Sequence, residues 1–148
     1  MTPHAFGTVS PAEWDDTAAV NLRAPFFLMQ AAAGVMAQGG AIVQVSDHLA
    51  FETGYPHLIP HQVTKAALTQ LVRTAAVELA PHIRVNAVAP GLVLAPEGFT
   101  GEAAFLRDVP LGRSGSPDDV VHAIHFLVDA AYVTGIVLPV DGGRHLRR

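Results

Sequence analysis

Ile83-Arg84-Val85-Asn86-Ala87-Val88-Ala89-Pro90-Gly91 is the stretch on which the fold turns. It is short, mostly apolar, β-branched at Val85 and Val88, and stopped by Pro90-Gly91. Such a run fits a strand over 83–89 buried on both faces, as in a parallel sheet. An earlier run, Ala41-Ile42-Val43-Gln44-Val45, has the same character and ends at Ser46-Asp47-His48. Between the two, Pro60 opens a helix predicted over 60–80, with Val63, Ala67, Leu71, Ala75 and Leu79 as one stripe, widened by Leu68, Val72 and Ala76. Pro81 stops it. His61 and Lys65 are one helical turn apart and project from the same side. Strand, helix, strand with connections of this length implies a parallel sheet and a right-handed crossover. Asp47, His61 with Lys65, and the Pro90-Gly91 turn then share the C-terminal rim of the sheet, where α/β proteins bind ligands.

N-terminal to this unit, Ser10-Pro11-Ala12-Glu13 is a helix start: a hydroxyl cap, proline at the first helical position and a glutamate placed to bond back. The apolar spacing of Trp14, Ala18, Leu22, Phe26, Met29, Ala33 and Met36 predicts a helix over 11–38, closed by Gly39-Gly40. Pro25 lies inside it. Proline has no N–H, so the carbonyl of Asn21 loses its helical partner, which leaves either a plain kink or an acceptor free for a water or ligand. On the other side, 92–116 reads as irregular with a short helix over 102–108. Ser116-Pro117-Asp118-Asp119 repeats the helix-start chemistry, with carboxylates favoured in the first turn. That helix runs to Asp129 with Val120, Ile124, Leu127 and Val128 inward. Gly135 to Val140 is a third strand, ended by Asp141-Gly142-Gly143. The fold class is α/β, in one domain over 1–148.

Composition narrows the function. Half of the 148 residues are apolar and 15% are charged, enough to build a core and too apolar for disorder. The net charge is −4, and three of the arginines, Arg144, Arg147 and Arg148, sit in the C-terminal tail, where they read as solvated charge. No basic face remains for nucleic acid. There is no cysteine, hence no disulfide framework and no thiolate metal site. No signal peptide and no membrane-length apolar run is present, so a cytoplasmic protein is expected. The pairs His57/His61 and His122/His125 lie at one-turn spacing but outside any His-Glu-x-x-His pattern, so no metal site is expected. Ser46-Asp47-His48 are contiguous where a hydrolase triad needs convergence in space, and there is no Gly-x-Ser-x-Gly elbow.

In order along the chain, Trp14-Asp15, Val20-Asn21-Leu22, Ile42-Val43-Gln44-Val45-Ser46, Lys65-Ala66-Ala67-Leu68, Arg84 to Gly91 and Val140-Asp141-Gly142-Gly143 resemble the C-terminal half of a short-chain dehydrogenase/reductase. Within that family the similarity is to pteridine reductases and bacterial dihydromonapterin reductases. Asp47 stands where many members have serine, and the ending Asp141 to Arg147 is similar to the latter group. The resemblance implies a partial Rossmann-like doubly wound parallel sheet, made of the last three strands and their helices. It implies NADPH as cofactor, a dihydropterin- or dihydrofolate-like C=N bond as substrate, and a homo-oligomer through helices 11–38 and 60–80.

The same resemblance implies roles for particular residues. Asn21 would hold a water on its main-chain carbonyl, Asp47 would be the catalytic acid, and Lys65 would bind the nicotinamide ribose. Pro90, Gly91, Leu92 and Val93 would contact the nicotinamide through their backbone. The C-terminal arginines could reach a substrate pocket.

Two departures stand out. His61 occupies the place of the family's catalytic tyrosine. Imidazole donates and accepts protons near neutral pH but is shorter than a phenol. Tyr55, on the preceding loop, is the other proton donor within reach in principle, but a loop residue lacks fixed geometry. The family's glycine-rich, phosphate-binding turn has no counterpart either. Gly98-Phe99-Thr100-Gly101 and Gly112-Arg113-Ser114-Gly115 have the wrong spacing and follow no predicted strand. A catalytically inactive truncated fragment that associates through its helices is therefore the rival reading.

Overall fold

The computed structural model describes residues 6–52, 58–95 and 97–146. Tyr55, His57, Arg147 and Arg148 lie outside the described residues.

Three strands, β1 (Gly40–Val45), β2 (Ile83–Pro90) and β3 (Val137–Val140), form one sheet in the order β1-β2-β3. Both pairings are parallel, with Gly40 opposite Ile83, Val45 opposite Val88, and Pro90 opposite Val140. β2 is central and almost wholly buried, which is why its sequence is apolar without alternation. The crossovers carry α3 (Ile59–Glu78) between β1 and β2, and α5 (Pro117–Asp129) between β2 and β3. Ahead of the sheet lie α1 (Pro11–Ala18) and α2 (Ala24–Ala33), and α4 (Glu102–Leu106) follows β2.

Helices cover both faces of the sheet. Met29 of α2, Val72 and Ala76 of α3, and Ile83, Val85 and Ala87 of β2 form one buried cluster, flanked by Ile42, Leu71, Ala75, Leu79 and Val137. The alternate β2 residues face α5, whose Leu127 is fully buried. Two polar side chains on that second face do structural work. The Arg84 guanidinium donates to the carbonyls of Leu127, Val128 and Ala130 at 2.8, 2.6 and 3.0 Å, taking up acceptors that the end of α5 leaves open. Asn86, with no exposure, donates to the Val133 carbonyl at 2.9 Å and accepts from the Ile136 N–H at 3.1 Å, tying the chain entering β3 to β2.

Several boundaries and faces differ from expectation. The helix predicted over 11–38 is two helices joined by a π turn at Ala19–Arg23, and it ends at Ala33. The wide turn falls just before Pro25, whose missing N–H cannot close an ordinary one. Gly34 caps the end, and Val35 and Met36 bond back to the Ala32 carbonyl. The helix predicted over 60–80 spans 59–78, β1 begins at Gly40, β2 includes Pro90, and α4 stops at Leu106. β3 starts at Val137 rather than Gly135, which bends the chain at φ +78°. In α3 the deepest apolar residues are Leu68, Val72 and Ala76, while Val63 is half exposed. Trp14 and Val128 also face outward. Arg144, expected in solvent, is buried.

Candidate active site

The rim holds what three strand ends and one helix start deliver. β1 ends at Val45, and the chain turns through Ser46 and Asp47 into a short 3-10 turn at His48–Ala50. Asp47 caps that turn, accepting the Leu49 N–H at 2.9 Å. Its other oxygen, Oδ2, lies 3.1 Å from His61 Nε2 in the first turn of α3. The Asp47 and His61 side chains are 22% and 14% exposed, so the pair is shielded but reachable. Burial by itself would raise the Asp47 carboxyl. Hydrogen bonds from His61 and the Leu49 N–H, with the fields of His48 and His61, outweigh it and hold the group below the ordinary carboxylate range.

Asn21 reaches the same point from the π turn. Its Nδ2 lies 3.3 Å from His61 Nδ1 and 3.1 Å from Thr64 Oγ1. One turn beyond His61, Lys65 Nζ donates to the Val45 carbonyl at 3.0 Å. Burial pushes this ammonium below its usual value, and the Asp47 carboxylate offsets part of that. Asn21, Asp47, His61 and Lys65 thus converge at the end of β1.

Pro90, Gly91, Leu92 and Val93 leave β2 along the same rim. A Cβ on Gly91 would fall 3.0 Å from Asp141, so the close approach of this turn to the end of β3 requires glycine there. The Gly91 N–H bonds to Val140 and the Leu92 carbonyl to the Gly115 N–H, so part of this backbone is already committed. An open depression of about 460 Å³ continues along the rim between Arg113 and Asp119 on one side and Asp141 to Gly143 and His145 on the other.

Two groups were not foreseen. Thr64 is buried beside His61, and its position three residues on, on the same face of α3, was the available signal. The second is a charged cluster under the Asp47 turn. His48 Nδ1 meets Glu52 at 2.7 Å, and Arg144 pairs with Asp108 at 2.7 Å and with Glu52 at 3.6 Å while stacking over Phe105. The C-terminal turn Arg144–Leu146 therefore braces the segment that carries Asp47. Among the described residues, no three His, Cys, Asp or Glu side chains are grouped as a metal ion would need. No helix among them is long and apolar enough to cross a membrane.

A parallel sheet covered on both faces, with an acid, an imidazole and a lysine at the C-terminal ends of its strands, has the Rossmann-like layout in which ligands sit at that rim. The family described as enoyl-(acyl carrier protein) reductase matches residues 2–145. Protein FixR of Bradyrhizobium diazoefficiens is 39% identical, over 94% of this chain and 52% of that protein. Human dehydrogenase/reductase SDR family member 4 is 36% identical, over 91% of this chain and 52% of that protein. The structure of landomycin C-6 ketoreductase LanV with bound NADP and rabelomycin superposes with a TM-score of 0.89 at 31% identity, over 99% of this chain and 58% of that one. The chain belongs to the short-chain dehydrogenase/reductase family, and it spans about half the length of the curated relatives it matches.

Proposed function

We propose that this chain carries the proton-handling side of a nicotinamide-dependent reductase, matching the family's C-terminal half, and that the bond reduced is the C=N of a dihydropterin- or dihydrofolate-like ring. The observation that carries this reading is the Asp47–His61 contact at 3.1 Å, with Asp47 held ionised at the rim. A carboxylate at that place accepts N–H groups, which an aminopyrimidine edge offers and a simple ketone does not. NADPH is the cofactor chosen, on family resemblance; one half-buried ammonium and the backbone of 90–93 suit its nicotinamide-ribose end. Lys65 would hold the ribose, and Pro90, Gly91, Leu92 and Val93 would flank the nicotinamide. The bound dinucleotide supplies the hydride. His61 supplies the proton to the substrate nitrogen, Asp47 orients the ring, and Lys65 with the Asn21 carbonyl and a water returns the proton. The phosphates call for donors that these residues do not supply.

The test is binding, measured by fluorescence titration of residues 1–148 with dihydromonapterin and with a small ketone, for the native chain and Asp47→Asn. Loss of one charge-assisted hydrogen bond weakens the pterin by about tenfold or more. Equal affinity for both proteins, or preference for the ketone, sinks the pterin reading.

A second reading is favoured by Val20, Phe27, Leu28 and Val35, each more than half exposed on or beside α2. It takes the chain as a fragment without turnover that associates with itself through the α1–α2 pair and α3. Sedimentation of Leu28→Glu beside the native chain separates the two: a monomeric native chain excludes self-association.

A further inference from the structure

Hydrogen bonding through four side chains at the rim runs in one direction. Thr64 Oγ1 lies 2.7 Å from the Pro60 carbonyl and 3.0 Å from the His61 carbonyl. Carbonyls only accept, so the hydroxyl's single proton is spent there. Toward Asn21 it presents a lone pair, and Asn21 Nδ2 donates to it at 3.1 Å. With its nitrogen end held inward, the same amide turns its second proton toward His61 Nδ1 at 3.3 Å. An N–H facing Nδ1 needs a bare ring nitrogen. The proton of the neutral imidazole then sits on Nε2, facing Asp47 Oδ2 at 3.1 Å.

We propose that Thr64 is a positioning residue which, through Asn21, holds neutral His61 as its Nε2–H tautomer and aims the ring's only proton at Asp47. Turning the Asn21 amide over would set its oxygen against the lone pairs of Thr64. Thr64 could answer only by giving up its helix carbonyl. It is 2% exposed, so water offers no easy substitute. The tautomer follows from this geometry alone. Its consequence for catalysis, that the transferred proton leaves from the Asp47 side of the ring, rests on the reductase reading.

The experiment is a long-range ¹H–¹⁵N correlation on residues 1–148 with ¹⁵N-labelled histidine, at about pH 8, above the ordinary imidazole range. The His61 signals are assigned by their loss in His61→Gln. In the native chain Nε2 should carry the proton and Nδ1 should be bare. Thr64→Val keeps the shape and removes the lone pair, and should shift the tautomer ratio toward Nδ1–H by about fivefold, the worth of one neutral hydrogen bond. Thr64→Ser should restore the native ratio. Asn21→Asp sets an acceptor against Nδ1 and should draw the proton there, which keeps the idea testable if Thr64→Val does not fold. Protonated Nδ1 in the native chain overturns the proposal. So does an unchanged ratio in a folded Thr64→Val, or in Asn21→Asp. If the tautomer is as stated and pterin does not bind, only the reductase reading falls.

Discussion

Replacing Asn86 by leucine should destabilise the fold although it puts an apolar side chain of similar size into a fully buried site. The residue has no exposure, and its amide satisfies the Val133 carbonyl and the Ile136 N–H at 2.9 and 3.1 Å. Leucine leaves both without a partner, at about 1–3 kcal/mol each. It regains about 1.5–3 kcal/mol of apolar burial, for a net loss of about 2 kcal/mol. For a chain of this size that lowers the melting temperature by about 4–8 °C. Asn86→Asp sharpens the test. Its carboxylate still accepts from Ile136 but faces the Val133 carbonyl as an unpaired buried charge, at about 3 kcal/mol or more near neutral pH. Burial raises that carboxyl in the folded state. The penalty is therefore full above the raised value and fades as pH falls toward the unfolded value of about 3.9, where the protonated group donates to Val133. Urea unfolding followed by circular dichroism at pH 7 and pH 5 reads both effects. A leucine variant as stable as the native chain, or an aspartate variant whose deficit is the same at both pH values, would refute the reasoning.

Arg84→Met removes all three guanidinium bonds to the end of α5 and should cost about 2 kcal/mol in the same assay, with helix signal lost first from that end. Gly91→Ala would press a methyl to 3.0 Å from Asp141 and should cost about 1–3 kcal/mol, visible as a lowered urea midpoint. Asp47 is depressed in the folded chain, so its contribution is present above the unfolded value of about 3.9 and is lost as pH falls through the lower folded value. Asp47→Asn should accordingly narrow its stability gap to the native chain as pH drops below about 4, read from urea midpoints across pH.

The sheet, both crossover helices and the rim were legible from local signals. β2 and β1 are apolar runs bounded by breakers, and Ser10 and Ser116 announce their helices by capping chemistry that the structure reproduces bond for bond. Asp47, His61 and Lys65 could be placed on one rim because parallel strands end together. What could not be read depends on contacts far apart in sequence. Nothing near Arg84, Asn86 or Thr64 says that their partners lie more than forty positions away. A charged tail ordinarily is solvated, so sequence alone puts Arg144 in solvent, and only the folded chain brings Glu52, Asp108 and Phe105 around it. The outward turn of Val63 and Val128 has the same origin: a helical stripe gives the face, while its centre is set by what packs against it.

The wide turn at Ala19–Arg23 has a bearing on how such a site changes length. Adding one residue to an ordinary α-helix swings everything beyond it through about 100°. A π turn absorbs the extra residue within itself. α1 can then keep its contact with α3 while Met29 of α2 stays in the core cluster. Asn21 sits inside that slack. Loss of one codon in this segment should therefore relax the π turn to an ordinary helical one. Its toll would fall on the aim of a single amide and leave the phase of both helices intact.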